Sequence, residues 1–470
     1  MVTGTVKVTF SYHLLFKEEF PMRQRSTLTA FVMLGLLMPS LSQAQSVPDP
    51  RAILERGPLK ADGSPAFRAH AGALVQDAQS GEVLLAWNDT DAFTPASTTK
   101  VMTTATALYT LGADFTFKTT VLAPAATGAR VDRLTLRGSG DPSLKEKGDG
   151  NTLEALAKAV AAKGIKSVGE LRIDDFAFGQ TRWGNGWMWD DTEYPIGALR
   201  LDGDDAPYLR LIVSADEVKA GIQPNPAMLT DVNTLSLTVG ERFAALLKAS
   251  GVEVGPVKRA RAEGSDASVA EVSSAPLSTL VRLTNKPSDN LYAEQLRAAV
   301  GVGKDGTPSS ESNANKAIAA FLKTAGYAGE DYRLRDGSGL TRYNLLTPRQ
   351  LNAVMRYAYL NPLGTNLSPA EAFKEKKNLF IESLPVAGTG DATPETKANG
   401  GTLRNRLKDT GLDVRAKTGS MTGISSLSGF VTAKSGRVVT FTLMMDNYPS
   451  VLSDLNRWQD ELVQAIAAKY

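Results

Sequence analysis

The residue with the clearest chemical potential is Ser97, which is followed three positions later by Lys100. A serine hydroxyl is a weak nucleophile until a base removes its proton, and a lysine three residues further along a helix lies on the same face. We predict that Ser97 opens a helix, since apolar residues follow it at helical spacing. The free N–H groups and the dipole of a helix N-terminus favour negative charge. The pair could therefore attack a carbonyl group and help to hold the resulting oxyanion.

Two further clusters of polar residues lie much later in the chain. Residues 288–290 read Ser-Asp-Asn before an apolar helical segment, and residues 417–419 read Lys-Thr-Gly within a predicted strand, where close packing would admit only glycine. Each cluster alone has an ordinary explanation, as a helix cap or a surface turn. Ser-x-x-Lys likewise occurs by chance in most long chains. The functional interpretation therefore depends on the joint occurrence of all three.

The composition limits which base can activate the serine. The 470 residues include no cysteine and only two histidines, His13 and His70, so thiol catalysis and thiolate metal sites are excluded. His70 lies outside the three clusters, which leaves a lysine, a carboxylate or a water molecule as the base. Lys100 can serve only when it is uncharged, which burial and a second nearby cation would favour. A net charge of +2 gives no electrostatic reason to expect a nucleic-acid partner.

The elements around these clusters predict a mixed α/β (α+β) chain. Apolar runs at 73–77 and 82–87 flank a turn and predict a hairpin, and a strongly apolar strand is predicted at 437–446. Residues at helical spacing predict helices at 97–109, 153–162, 277–283, 290–300, 347–359 and 454–470. Short alternating segments predict strands at 133–137, 170–174, 208–213 and 235–239. The part of the chain that contains these last strands is therefore expected to be rich in β-structure.

The N-terminal segment has the features of a secretory signal peptide. A basic stretch follows Met22, an apolar run covers 28–38, and small residues precede a predicted cleavage point after Ala44. The apolar run is shorter than the ~20 residues that span a bilayer, although an uncleaved anchor stays open as the alternative. Residues 1–21 precede an already complete signal, so Met22 is an alternative start. We expect a periplasmic protein whose association with the membrane is at most peripheral.

The three clusters in this order resemble the signature set of the serine penicillin-recognising enzymes. The long separation between the first two clusters narrows the resemblance to the class C low-molecular-mass penicillin-binding proteins. This is the D-alanyl-D-alanine carboxypeptidase/endopeptidase family, also described as penicillin-binding protein 4-like. Segments 137–144, 186–191 and 336–342 are also similar to that family. The resemblance covers the chain from about residue 71 to its C-terminus.

The resemblance implies a fold and a division into domains. The catalytic domain would be β-lactamase/transpeptidase-like, with a five-stranded antiparallel sheet flanked by helices, and would comprise residues 45–114 and 277–470. Residues 115–276 would form an inserted β-rich region of one or two small domains. Residues 1–44 would comprise an upstream extension and the signal peptide.

The resemblance also implies roles for individual residues. Ser97 would be the acylated nucleophile, Lys100 its base, and Ser288 a proton relay to the leaving amine. The residues that it assigns to substrate binding are Asn290, Lys417, Thr418, Gly419, Ser420, Asp191 and Arg342. Among these, Asn290 would bind the substrate amide, and Lys417 and Thr418 would bind a terminal carboxylate. The backbone N–H groups of Ser97 and Ser420 would form the oxyanion hole.

The implied substrate is a peptidoglycan stem peptide that ends in D-alanyl-D-alanine, or the cross-bridge between two stems. Asp191 and Arg342 would contact the free end of a diaminopimelate side chain, with the neighbouring Asp190 as an alternative to Asp191. β-Lactams would inhibit the enzyme by acylation, and no cofactor or metal is implied. Two other functions stay open at this point: a β-lactamase of the same superfamily, and a non-enzymatic module that binds cell-wall peptides or β-lactams. The first is disfavoured by the long insertion and by the lack of a glutamate in an obvious deacylation motif.

Overall fold

The computed structural model describes residues 48–125, 128–179, 183–188, 195–202, 232–329 and 331–470. Several predictions from the sequence lie outside these residues: the upstream extension and signal peptide at 1–44, the strand at 208–213, and both Asp190 and Asp191. Within the described part of the chain, no helix is long and apolar enough to cross a membrane.

The described strands and helices are numbered here in chain order. The strands are β1 (His70–Asp77), β2 (Val83–Trp87), β3 (Lys118–Pro124), β4 (Arg130–Gly138), β5 (Ser167–Asp174), β6 (Glu253–Val254), β7 (Val257–Arg259), β8 (Asp266–Ser273), β9 (Val414–Met421), β10 (Ile424–Thr432) and β11 (Val438–Asp446). The helices are α1 (Pro50–Arg56), α2 (Thr99–Leu111), α3 (Leu153–Ala162), α4 (Val232–Ala249), α5 (Leu277–Asn285), α6 (Asn290–Val300), α7 (Glu311–Thr324), α8 (Pro348–Leu360), α9 (Pro369–Lys374), α10 (Leu379–Ser383), α11 (Pro394–Gly400) and α12 (Leu452–Lys469).

Five strands form an antiparallel sheet in the spatial order β2-β1-β11-β10-β9. The predicted hairpin of β1 and β2 joins the three C-terminal strands because β1 pairs along its whole length with β11. Successive side chains of a strand point to opposite faces, so both faces of this sheet are covered. Helices α1 and α12 pack on one face, and α2 and α5–α8 contribute to the core on the other. The predicted five-stranded antiparallel sheet flanked by helices is confirmed.

A second sheet contains the strands between β3 and β8, in the order β6-β5-β4-β3-β8, with β7 also paired to β5. Strands β4, β5 and β6 run parallel, and α3 and α4 pack against them around a separate apolar core. The strand predicted at 235–239 is wrong, because these residues belong to α4. Leu235, Val239, Phe243 and Leu247 are all buried, and their spacing of four residues is that of a helix.

Helix α2 crosses the interior of the helical layer. Every residue from Thr99 to Leu108 is buried, which agrees with the scarcity of charged residues in this segment. Its threonine hydroxyls bond within the helix: Thr104 Oγ1 donates to the carbonyl oxygen of Lys100 at 2.6 Å, and Thr106 Oγ1 to that of Met102 at 2.8 Å. Because these bonds satisfy the buried hydroxyls, α2 can provide a dry and fixed support for the residues at its N-terminus.

Candidate active site

Ser97 lies in a short 3-10 turn, Ala96–Thr98, that leads directly into α2. The position at the start of a helix is therefore as predicted. The turn is fixed from below, since Thr98 Oγ1 donates to the carbonyl oxygen of Pro95 at 2.7 Å and Ser426 Oγ on β10 donates to the same oxygen at 2.5 Å. The partly buried Ser97 is thus held between α2 and the main sheet.

Lys100 is completely buried, and its Nζ has three oxygen partners. It donates to Ser97 Oγ at 3.0 Å, to Asn290 Oδ1 at 2.6 Å and to the carbonyl oxygen of Ser338 at 2.7 Å. The Ser-x-x-Lys and Ser-Asp-Asn clusters therefore meet at one amine. Lys100 is within hydrogen-bond reach of the hydroxyl that it would have to deprotonate.

Lys417 is the second completely buried lysine of the site. Its Nζ donates to Ser288 Oγ at 2.9 Å and to the carbonyl oxygen of Thr418 at 2.8 Å. Burial, and then the positive charge of Lys100, hold the pKa of Lys417 well below its usual range. Thr418 Oγ1 lies 2.7 Å from Thr402 Oγ1. The third cluster thus contacts the second through Ser288, so the three clusters surround one cleft.

Gly419 packs directly beneath the turn that carries Ser97. A Cβ atom at this position would lie 2.5 Å from the carbonyl oxygen of Pro95 and 2.9 Å from the backbone nitrogen of Thr98. Real Cβ atoms do not approach backbone so closely, so the close packing expected at this glycine is present. The next residue, Ser420, pairs with Ser425 at the end of the β9–β10 hairpin. The structure therefore brings the backbone around Ser420 to the same end of the cleft as Ser97.

Arg342 lies at the edge of the site rather than inside it. Its two terminal guanidinium nitrogens both donate to the carbonyl oxygen of Thr422 at 3.3 Å, in the turn between β9 and β10. The side chain is exposed and close to the strand that carries Lys417. The residue with which it was paired, Asp191, is outside the described residues.

Two buried carboxylic acids, Glu294 and Asp336, support the loop that contacts Lys100, and the sequence predicted a role for neither. Glu294 Oε1 accepts hydrogen bonds from the backbone nitrogens of Gly337 and Ser338 at 2.8 and 2.7 Å. Asp336 accepts from the backbone nitrogens of Gly339 and Thr341 at 2.8 and 2.7 Å. Together they fix the loop whose Ser338 carbonyl contacts Lys100. One signal was present: Glu294 follows Asn290 by four residues and therefore shares its helix face.

The environment of Glu294 also perturbs its ionisation. Burial raises the pKa of Glu294 to about 7, and the neighbouring Asp336 adds to the effect. The positive charge of Arg297 and the hydrogen bonds from Ser338 oppose this shift but do not overcome it. Glu294 is therefore a buried group whose charge changes near neutral pH.

His70 takes no part in this arrangement. Its Nδ1 lies 2.9 Å from Asp446 Oδ1 and its Nε2 lies 3.3 Å from Asp91 Oδ2. None of these residues belongs to the three clusters. Across the residues described, no group of three or more His, Cys, Asp or Glu side chains could hold a metal ion.

The fold of the chain is of the β-lactamase/transpeptidase-like type that penicillin binding protein 4 also has. It is similar to the crystal structure of penicillin binding protein 4 (dacB) from Haemophilus influenzae, with a TM-score of 0.70 and 22% identity over 90% of this chain and 100% of that one. At this identity the similarity shows the fold. The predicted fold class is therefore confirmed.

Sequence comparison identifies the family. Residues 59–205 and 217–469 match the D-Ala-D-Ala carboxypeptidase 3 (S13) family. Carboxypeptidase DacB of Mycolicibacterium smegmatis is 31% identical over 387 residues, which cover 79% of this chain and 75% of that protein. The D-alanyl-D-alanine carboxypeptidase of Actinomadura sp. (strain R39) is 30% identical over 439 residues, which cover 79% and 76%. The chain belongs to this family and is a serine-type D-Ala-D-Ala carboxypeptidase, as the resemblance implied.

The raised pKa of Glu294 predicts a pH-dependent difference in stability between the wild type and Glu294→Gln. Below pH 4.5, the ordinary pKa of a glutamate, Glu294 is protonated in both the folded and the unfolded wild type. Between pH 4.5 and about 7 it is protonated in the folded state and ionised in the unfolded state. The stabilisation from the neutral group is therefore lost as the pH rises to about 7. The wild-type free energy of unfolding, relative to the variant, should fall by on the order of 1–3 kcal/mol across this range in urea titrations. A difference that stays constant across this range would contradict the assignment.

The packing of Gly419 predicts that Gly419→Ala displaces the turn of Ser97. Since the added methyl group meets backbone atoms of that turn, we expect the rate of D-alanine release to fall by about 100-fold, the usual effect of a 1 Å misplacement. The matched control is Gly264→Ala, where the methyl group would meet nothing within 4 Å. Circular dichroism would verify that both variants fold. Unchanged activity in folded Gly419→Ala would show that the turn tolerates the displacement.

Proposed function

We propose that the chain hydrolyses the terminal D-alanyl-D-alanine bond of peptidoglycan stem peptides through an acyl-enzyme on Ser97. The observation that carries this proposal is the 3.0 Å contact between the completely buried amine of Lys100 and Ser97 Oγ. The same serine would cleave the cross-bridge between stems, which ends in an equivalent D-configured bond. β-Lactams would inhibit the enzyme by acylating Ser97. The name of the Haemophilus influenzae protein, which describes penicillin binding, supports this last part.

The first half of the reaction forms the acyl-enzyme. Uncharged Lys100 takes the hydroxyl proton while Ser97 Oγ forms a bond with the carbonyl carbon of the penultimate D-alanine. The carbonyl oxygen becomes negatively charged and is held by the backbone N–H groups of Ser97 and Ser420. One such donor typically contributes a factor of ~10²–10³ to the rate. The closely packed Gly419 supports this role by keeping the two backbone segments together.

The second half of the reaction releases the products. Ser288, which is hydrogen-bonded to Lys417, relays a proton to the amine nitrogen of the terminal D-alanine as the C–N bond breaks: its own proton goes to the nitrogen, and the proton that Lys100 took from Ser97 replaces it, so that Lys100 is uncharged again. A water molecule then gives a proton to Lys100 and forms a bond with the acyl carbon, the bond from that carbon to Ser97 Oγ breaks, and Lys100 returns the proton to Oγ. One lysine–serine pair, Lys100 and Ser97, would thus act at the nucleophile, and the other, Lys417 and Ser288, at the leaving group.

The terminal carboxylate of the substrate would bind Lys417 and Thr418, and Asn290 would bind the amide of the penultimate residue. A carboxylate next to Lys417 favours the protonated amine, which opposes the effect of burial. Substrate binding is therefore coupled to protonation of Lys417. Thr402, whose hydroxyl contacts that of Thr418, would orient the threonine for this contact.

The remaining proposals concern the organisation and location of the chain. Residues 45–114 and 277–470 would form the catalytic domain, and residues 115–276 the insertion. The separation of the two sheets and of their apolar cores supports this division. The enzyme would reach the periplasm through the signal peptide within residues 1–44, cleaved after Ala44. Asp191 and Arg342 would contact the free end of diaminopimelate.

The assignment of Ser97 predicts that Ser97→Ala abolishes both covalent attachment of labelled penicillin and release of D-alanine from a pentapeptide. The exposed serine of Ser435→Ala is the matched control and should behave as the wild type. Gel fluorescence and amino-acid analysis measure the two effects. Equal labelling of wild type and Ser97→Ala would refute the acyl-enzyme. Rapid multiple turnover of nitrocefin by the wild type would instead identify a β-lactamase.

If Arg342 and Asp191 bind diaminopimelate as proposed, variants of these two residues should differ in their KM for diaminopimelate and lysine peptides. Its free end carries a carboxylate and an ammonium group, whereas lysine at the same position carries only the amine. Arg342→Gln should raise KM about 10-fold for the diaminopimelate peptide, the effect of losing a charged hydrogen bond, and leave the lysine peptide unchanged. Asp191→Asn should raise KM for both peptides. Identical effects of Arg342→Gln on the two peptides would contradict the assignment.

A further inference from the structure

Lys286 is a buried titratable side chain that the reaction described above does not use. It is 4% exposed and follows α5, two residues before Ser288. Its Nζ donates to the carbonyl oxygen of Leu384 and, at 3.0 Å, to Asn399 Oδ1. Burial, and then the charge of Arg282, lower the pKa of Lys286 to about 7. An uncharged amine has two N–H groups, which match these two acceptors.

These contacts tie the start of the Ser-Asp-Asn loop to the segment that follows α10. The neighbouring Asn285 makes a parallel connection, since its Nδ2 donates to Ser383 Oγ at 2.9 Å. The backbone of Lys286 connects the loop to Thr402 as well, because the carbonyl oxygen of Lys286 accepts a hydrogen bond from the backbone nitrogen of Thr402 at 3.2 Å. Gly401 allows this approach, as a Cβ atom there would lie 2.1 Å from the same oxygen. Thr402 in turn contacts Thr418, so the connection reaches the proposed carboxylate site.

Ser288 needs such support because its backbone is strained. It has a φ of +69°, in the left-handed region that costs a residue other than glycine roughly 1–2 kcal/mol. After Ser288, the loop is closed by a hydrogen bond from the backbone nitrogen of Asp289 to the carbonyl oxygen of Thr284 at 2.9 Å. Before Ser288 in the chain, the nearest side-chain hydrogen bonds of the loop are those of the Lys286 amine. Without that anchor the strain can relax, and Ser288 Oγ would leave its position beside Lys417.

We infer that Lys286 is a positioning residue for the proton transfer from Ser288. Its side chain holds the loop so that Ser288 Oγ can reach the leaving amine, and it does not itself touch the substrate. The inference rests on the proposed function, since it requires Ser288 to protonate a leaving group. It therefore predicts that loss of the Lys286 amine matters most when the leaving group needs a proton.

The test compares two substrates that share the acyl part and the terminal carboxylate. One is the D-alanyl-D-alanine peptide, whose amine must be protonated, and the other is the corresponding thiolester, whose thiolate leaves without a proton. Lys286→Met should lower kcat/KM for the peptide by about 100-fold and for the thiolester by less than about threefold. The exposed Lys397→Met, on α11 near Asn399, is the matched control and should change neither value.

A second variant keeps the test decisive if Lys286→Met does not fold. Asn399→Ala removes one of the two acceptors and should produce the same selective loss, about 10-fold on the peptide. Equal losses on both substrates in a folded variant, or no loss on the peptide, would overturn the inference. The proposed function fails by a different result: wild-type rates of thiolester hydrolysis in Ser97→Ala.

Discussion

The burial of two lysine amines in one cleft is the constraint on which the rest of this structure depends. A single buried charge typically costs several kcal/mol unless hydrogen-bonding partners replace the lost water. Lys100 and Lys417 are both completely buried, and oxygens from distant parts of the chain surround them. Those of Lys100 come from the turn before α2, from α6 and from the loop at Ser338; those of Lys417 come from Ser288 and its own strand. The three clusters can form a site only if the fold brings these oxygens together.

Much of the surrounding structure serves to hold those oxygens in place. Glu294 binds the backbone nitrogens of the loop whose Ser338 carbonyl faces Lys100, and it remains partly protonated near neutral pH as a consequence of its burial. The turn of Ser97 has a positive φ at Ala96 and is locked by Ser426 and the close approach of Gly419. Strained or tightly packed backbone therefore occurs on both sides of the cleft, as is common where a site must be fixed before the substrate arrives.

The sequence predicted the elements that have strong local signals. The hairpin, the buried strand at 437–446 and the helix beginning near Ser97 all have clear periodicity. The strand predicted at 235–239 is wrong because the pattern of five residues fits both a strand and one side of a helix. Only the longer run through the buried Phe243 and Leu247 distinguishes the helix from the strand. Which strands pair was available only from the resemblance, because local periodicity does not specify long-range partners.

The candidate site, like the fold, could be predicted from the sequence only in part. Ser97, Lys100, Ser288 and Lys417 belong to clusters of recognisable residue types, and the structure brings them together. The partners that support them could not be found in this way. The Ser338 carbonyl is a backbone atom and has no signature in residue type, and the contact between Thr402 and Thr418 depends on how α11 and β9 are placed in the fold. Lys286 appears in sequence as an ordinary surface lysine, and only its burial reveals it.

The central claim is that an uncharged lysine in this buried pair activates Ser97. The most direct test is the pH dependence of the rate constant for acylation of Ser97 by a β-lactam under single-turnover conditions. We expect the rate to rise with pH through an apparent pKa that belongs to the lysine pair and lies well below the ~10.4 of a free lysine. A rate that begins to rise only as the pH approaches about 10 would show that the pair titrates as ordinary lysines, and an uncharged lysine would then not activate Ser97 near neutral pH.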